Sequence, residues 1–201
     1  MLREAFLGRN PSHFHVNPIV KAYIVSESLL WAAWNFTTPI FAVFVVSNIA
    51  GGSIEVAATG YSVHLIARVL FELICGRYLM STNDKKKFYV AIIGMCILSI
   101  GYLGFAVSGN VVQVFLFYIV LGAGLGIASP AKNTLFAMHL DKNKESSEWG
   151  IADGATFVAM ALASALGGFI ATAYGFPVLF VISSIVSILS VVPYILYLEK
   201  K

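Results

Sequence analysis

The stretch Val111–Met138, VVQVFLFYIVLGAGLGIASPAKNTLFAM, decides the class of this chain. A helix needs roughly 20 mostly apolar residues to cross the hydrocarbon of a bilayer. This run is longer than that, and its one charge, Lys132, lies near its end. Five more runs of the same kind flank it: Val20–Ile49, Ile54–Arg77, Phe88–Val107, Gly150–Tyr174 and Pro177–Leu198. The pattern predicts an all-α, polytopic membrane bundle of six transmembrane helices. Composition agrees. Of 201 residues, 59% are hydrophobic and 11% charged, against about 45–50% and 25% in soluble domains. Ten acids and thirteen Lys and Arg cannot cover a water-soluble globule of this size. The same figures exclude disorder. Cys75 and Cys96 fall inside apolar runs, so no disulfide framework is expected.

The breaks between runs have turn chemistry: Gly51-Gly52-Ser53, Ser108-Gly109-Asn110 and Gly175-Phe176-Pro177 are short and almost chargeless. The other two connections, Asn83–Lys87 and Asp141–Trp149, are polar and charged. Lys and Arg collect at one end of the bundle: Arg3, Arg9, Lys21, Arg77, Lys85–Lys87, Lys132, Lys142, Lys144, Lys200 and Lys201. At the other end Glu55 is the only charge. The positive-inside rule then predicts both termini in the cytoplasm; the plasma membrane is the expected location. Residues 1–17 read as a polar cytoplasmic leader whose Leu2, Phe6 and Leu7 touch headgroups; residues 18–201 read as the transmembrane domain. The leader has no apolar core before a small-residue cleavage site, so it is not read as a signal peptide.

An ionisable side chain at mid-bilayer must face protein or water. His64, Arg68 and Glu72 recur every four residues in the second span, with Tyr61 beside them. Each step of four drifts by about 40°, so they share one helix face. One reading is an Arg68–Glu72 pair that only eases insertion; the other is a polar pathway. The first span carries a second stripe of Tyr23, Glu27, Trp31, Trp34, Asn35 and Thr38. Glu27 and Glu72 are the candidate proton-linked carboxylates, with Arg68 their partner or an anion-binding charge, and Trp31 and Trp34 are candidate platforms for an amphipathic or cationic ligand, or simple packing. Pro39 removes a backbone hydrogen bond mid-span and predicts a kink.

Gly122, Gly124 and Gly126 in the fourth span, and Ala159, Ala163, Ser164, Gly167 and Gly168 in the fifth, read as close-packing surfaces. Lys132, with Glu148 and Asp153, is expected to form an ion-pair latch at the cytoplasmic end. Sequence leaves open whether that latch moves as a gate or holds as a staple. No His/Cys/Asp cluster has metal spacing and no phosphate loop appears, so neither metal nor cofactor is expected. The lysine run is read as a topology determinant, not a nucleic-acid site.

Together these features resemble half of a major facilitator superfamily transporter. The connection Gly76–Lys87, GRYLMSTNDKKK, is similar to the family's cytoplasmic signature. Gly76 and the lysines fit it, while its acidic position falls on Met80 or, shifted, on Asp84. The fourth span ends in Ser129-Pro130-Ala131, and Gly167-Gly168 match the close of the family's fifth-span pattern. The basic residue frequent in the fourth span of proton-driven members falls near Ile119 and is missing. The resemblance implies two inverted three-helix repeats and a cavity lined by the first and fourth helices, with help from the second and fifth. It implies proton-coupled secondary transport of a small solute, not an enzyme. The partners it implies are the lipid bilayer, the solute, protons, and a second bundle: a homodimer or a different six-helix half. Glu27, Trp31, Trp34, Asn35, Tyr61, His64, Arg68 and Glu72 would line the pathway. Gly76, Arg77, Lys132, Glu148 and Asp153 would form the cytoplasmic gate. The alternatives are a non-transporting membrane scaffold or regulatory subunit, and an intramembrane enzyme built on His64, Arg68 and Glu72.

Overall fold

The computed structural model describes residues 16–199. The first fifteen residues of the leader, with Arg3, Arg9, Leu2, Phe6 and Leu7, and the closing Lys200 and Lys201, lie outside the described residues.

Six helices are long and apolar enough to cross a membrane: Pro18–Asn48, Ile54–Leu79, Asp84–Ala106, Val111–Met138, Glu145–Tyr174 and Phe176–Leu198. These are the first to sixth spans. Three of the five connections supply a side-chain cap. The side chains of Ser53, Asn83 and Asn110 accept from the backbone N–H of Val56, Lys86 and Gln113 at 3.0–3.1 Å, closing helix starts that lack intrahelical partners. Gly51 and Gly175 turn the chain at φ +76° and +85°, a region L side chains rarely adopt. The third and fifth spans begin four and five residues earlier than their apolar runs, at Asp84 and Glu145. The first turns there are charged and polar, so an apolar count does not register them although the helix has already begun.

Two spans are interrupted. A 3-10 turn at Thr38–Ile40, on the predicted Pro39, breaks the first span. There the Thr37 and Thr38 hydroxyls donate to the Trp34 carbonyl at 3.2 and 2.8 Å, which also accepts the Thr38 backbone N–H; the bond that Pro39 cannot make is the one to the Asn35 carbonyl. The sixth span breaks at Ser190 and Val191.

Packing shows the repeat. The fourth span packs mainly on the second and third, the first packs mainly on the fifth and sixth, and the third meets the sixth. Exchanging spans one to three for four to six turns one set into the other, as two inverted repeats require. At the third–sixth contact, the Ser99 and Ser184 hydroxyls each lie within hydrogen-bond reach of the other's carbonyl, at 3.0 and 2.9 Å. The glycines set how closely the backbones approach. A Cβ on Gly122 or Gly126 would meet the carbonyl oxygen of His64 or Arg68 at 2.4 or 2.5 Å. On another face, Gly124 lies against Gly94 and Leu98 of the third span. Gly167 lies against the Phe36 carbonyl of the first span, whereas Gly168 faces open space. The second and fifth spans are the least buried, so their outer faces meet whatever surrounds the bundle.

Candidate transport site

The first and fourth spans meet through polar side chains near the charged-loop end. The Lys132 ammonium, 1% exposed, donates to Glu27 Oε2. The other oxygen of that carboxylate accepts from Trp31 Nε1 at 2.7 Å, so Glu27 holds a cation across the repeat boundary and an indole on its own helix. One turn toward the loop, the Tyr23 hydroxyl donates to Asn133 Oδ1 at 3.2 Å, and its ring stacks on Phe136 at 4.1 Å. Beside this cluster, a cavity of about 260 Å³ opens between the first and fifth spans, lined by Tyr23, Glu27, Trp31, Asp153, Thr156 and Met160 among others. The buried ion pair therefore has a void at its edge and is not sealed.

A second cavity, of about 270 Å³, lies toward the short-loop end among the first four spans. Trp34, Phe41, Tyr61, Tyr102, Phe105 and Tyr118 form most of its wall, and Thr37 and Thr38 add hydroxyls. A void of about 10 Å³ lies between the two, walled by Leu30, Trp31, Trp34, Leu98, Tyr102 and Leu125. It shares Trp31 with the first cavity and Trp34 and Tyr102 with the second. That volume is close to the minimum for one water, and its walls offer too few polar partners to hold one. The two tryptophans, edge to face at 6.5 Å, thus plug the bundle between its two cavities.

The other predicted residues divide between these sites and elsewhere. Asn35 folds back, its Nδ2 donating to the Trp31 carbonyl at 2.9 Å. His64 is 1% exposed, lies behind Trp34 at 4.9 Å, and has no hydrogen-bond partner at Nδ1 among the described residues; it lines neither cavity. Arg68 and Glu72 also line neither cavity, and bond to each other at 3.3 Å. The expected pairing of Lys132 with Glu148 and Asp153 is not the one formed. Lys132 faces the first span and takes Glu27, Asp153 lines the cavity beside Glu27, and Glu148 Oε2 accepts the Asp141 backbone N–H at 2.9 Å. Arg77 is exposed, and a Cβ on Gly76 would meet nothing within 4 Å. Of the two positions for the signature's acid, Met80 is 82% exposed, while Asp84 bonds Lys87 at 3.5 Å and His139 of the fourth span's end at 3.3 Å. Among the described residues, no three His, Cys, Asp or Glu side chains gather as a metal site.

Sequence reasoning missed Tyr102, Phe105 and Tyr118, which lie in the most apolar runs, where an aromatic ring reads as packing. It also missed Ser183, Ser184, Ser187 and Ser190, all buried on the sixth span. Their spacing of three and four, in a run where every other residue is apolar or Pro, was the available signal.

The sequence pattern of the Major Facilitator Superfamily matches residues 24–201. With the six spans and the exchange symmetry of their packing, this places the chain in that family: it is a membrane-spanning transporter of the major facilitator type. No curated protein sequence matches it.

Proposed function

We propose that this bundle carries out proton-coupled secondary transport of a small solute by rocking against a second six-helix bundle, which is either another copy or a different half. The carrying observation is the Glu27 carboxylate. It bridges the two repeats through Lys132, keeps its other oxygen on Trp31, and borders a cavity. Proton uptake there would weaken the link to Lys132, so proton binding and the packing of the first span against the fourth are coupled. Arg68 and Glu72 support the second bundle. Their side chains are 29% and 39% exposed on the flank of a little-buried span. Ionic groups facing hydrocarbon are costly, and a facing bundle or a wet cleft removes that cost. Tyr61 and Asp153 are exposed on the second and fifth spans and would face the same cleft. Both termini would be cytoplasmic and the plasma membrane the site of action.

The test is flux in proteoliposomes that carry an internal pH-sensitive dye and an imposed pH gradient. Sugars, amino acids, nucleosides, organic cations and aromatic alcohols would be offered one at a time. At least one should move protons with it, and Glu27→Gln, whose amide oxygen still accepts from Lys132, should abolish that movement. Proton movement that persists in the variant removes Glu27 from the mechanism. Solute flux from a particle holding one bundle, by mass in nanodiscs, removes the second bundle.

A further inference from the structure

We infer that the short-loop cavity is a binding site for an uncharged, ring-bearing solute of one to two fused rings. In calling that solute the transported substrate, this rests on the reading above; as a statement about binding, it does not. Size comes first. An engineered apolar cavity of about 150 Å³ takes benzene, and this one is about 270 Å³. The shape of the wall comes next. Six aromatic side chains line it, from three spans of one repeat and the first span of the other. Trp34 and Tyr61 stand 6.5 Å apart, centroid to centroid, and Phe41 and Tyr118 stand 4.9 Å apart. Flat rings set at such spacings favour offset or edge contacts with a further ring.

Charge selects against ions of both signs. No Asp, Glu, Lys, Arg or His lines the cavity. Aromatic faces carry negative quadrupole potential and repel an anion. They attract a cation, but an ion withdrawn from water with no counter-charge loses more hydration than ring contacts return. Glu27, the nearest acid on the first span, is already held by Lys132 and lines the other cavity. The hydroxyls of Tyr61, Tyr102 and Tyr118 line it, and the Thr37 and Thr38 oxygens, whose protons go to the Trp34 carbonyl, remain acceptors for a neutral solute's single hydroxyl or amide. Tyr61, 43% exposed, and exposed Ala42 and Ala58 are on the open side, where a ligand would enter.

Three probes that share one ring separate the charge classes: benzyl alcohol, benzyltrimethylammonium and benzoate. Binding to the full chain in nanodiscs would be followed by saturation-transfer NMR, with empty nanodiscs subtracted. Two variants fill the cavity from its open side, Ala58→Phe and, from the first span, Ala42→Phe; both sites are exposed, so either should fold. Benzyl alcohol should bind saturably, with both ions at least tenfold weaker and each folded variant at least tenfold weaker for the alcohol. Equal binding by folded variants and wild type would mean partition into lipid and would overturn the inference, as would tighter binding of the quaternary ammonium or of benzoate. Binding as described with no flux in proteoliposomes upholds the site and ends the transport reading. Glu27-dependent flux with no saturable benzyl alcohol binding ends this inference and leaves the transport reading standing.

Discussion

Replacing Glu27 with Ala strands a cation. Lys132 is 1% exposed and its ammonium donates to the Glu27 carboxylate. Removing one partner of a buried pair costs about 3–5 kcal/mol, because the remaining charge is left without hydration or partner. Glu27 is 14% exposed, borders a cavity and has its other oxygen held by Trp31, so Lys132→Met should cost less, about 1–2 kcal/mol, because the carboxylate keeps one hydrogen bond and access to the cavity. Replacing both members of a buried pair by apolar groups is often neutral or stabilising. The double variant Glu27→Ala/Lys132→Met should therefore be more stable than Glu27→Ala alone by about 2 kcal/mol or more. Unfolding in a mixed micelle titrated with a denaturing detergent, followed by helical circular dichroism, measures all four corners of the cycle. The sign is the decisive feature: a second substitution in the same bundle should restore stability. If the double variant is as unstable as the two single effects added together, Lys132 and Glu27 act independently. The bridge between the repeats is then not what holds this end.

Three other sets of substitutions test other parts of the structure. Trp34→Ala should join the two cavities through the small void beside Trp31 and speed the decay of a pH gradient in proteoliposomes at least tenfold; an unchanged decay would show that the indole is not the plug. Gly122→Leu and Gly126→Leu place side chains on the carbonyls of the second span and should cut the yield of folded protein sharply. Gly154→Ala and Gly168→Ala, in open space, should leave yield unchanged or gain up to about 1 kcal/mol of helix propensity. Ser99→Ala and Ser184→Ala should each cost only about 0.6 kcal/mol, the usual size of a hydrogen bond between membrane helices; a loss several times larger in either would mean that this contact is the hinge of the pseudo-symmetry.

Much of this protein follows from residue type and order. Lipid is a uniform solvent, so a long apolar run must become a helix with every backbone group satisfied internally. That requirement is local, and it made the six spans, the Pro39 break and the close-packing glycines of the fourth span legible in the chain. The exceptions were the starts at Asp84 and Glu145, where the first turns are charged and polar and an apolar count does not register them. Partner choice is not local. Lys132 had Glu148 and Asp153 nearby in sequence and took Glu27, 105 residues away, because the helix face on which it lies is turned toward the first span. His64, Arg68 and Glu72 share a helix face in the sequence, yet the fold buries the first behind Trp34 and leaves the other two on the flank. The aromatic cavity was hidden for the same reason. Its rings come from four spans, each ring looks like ordinary packing in its own run, and only the angles at which those helices cross leave a space between them.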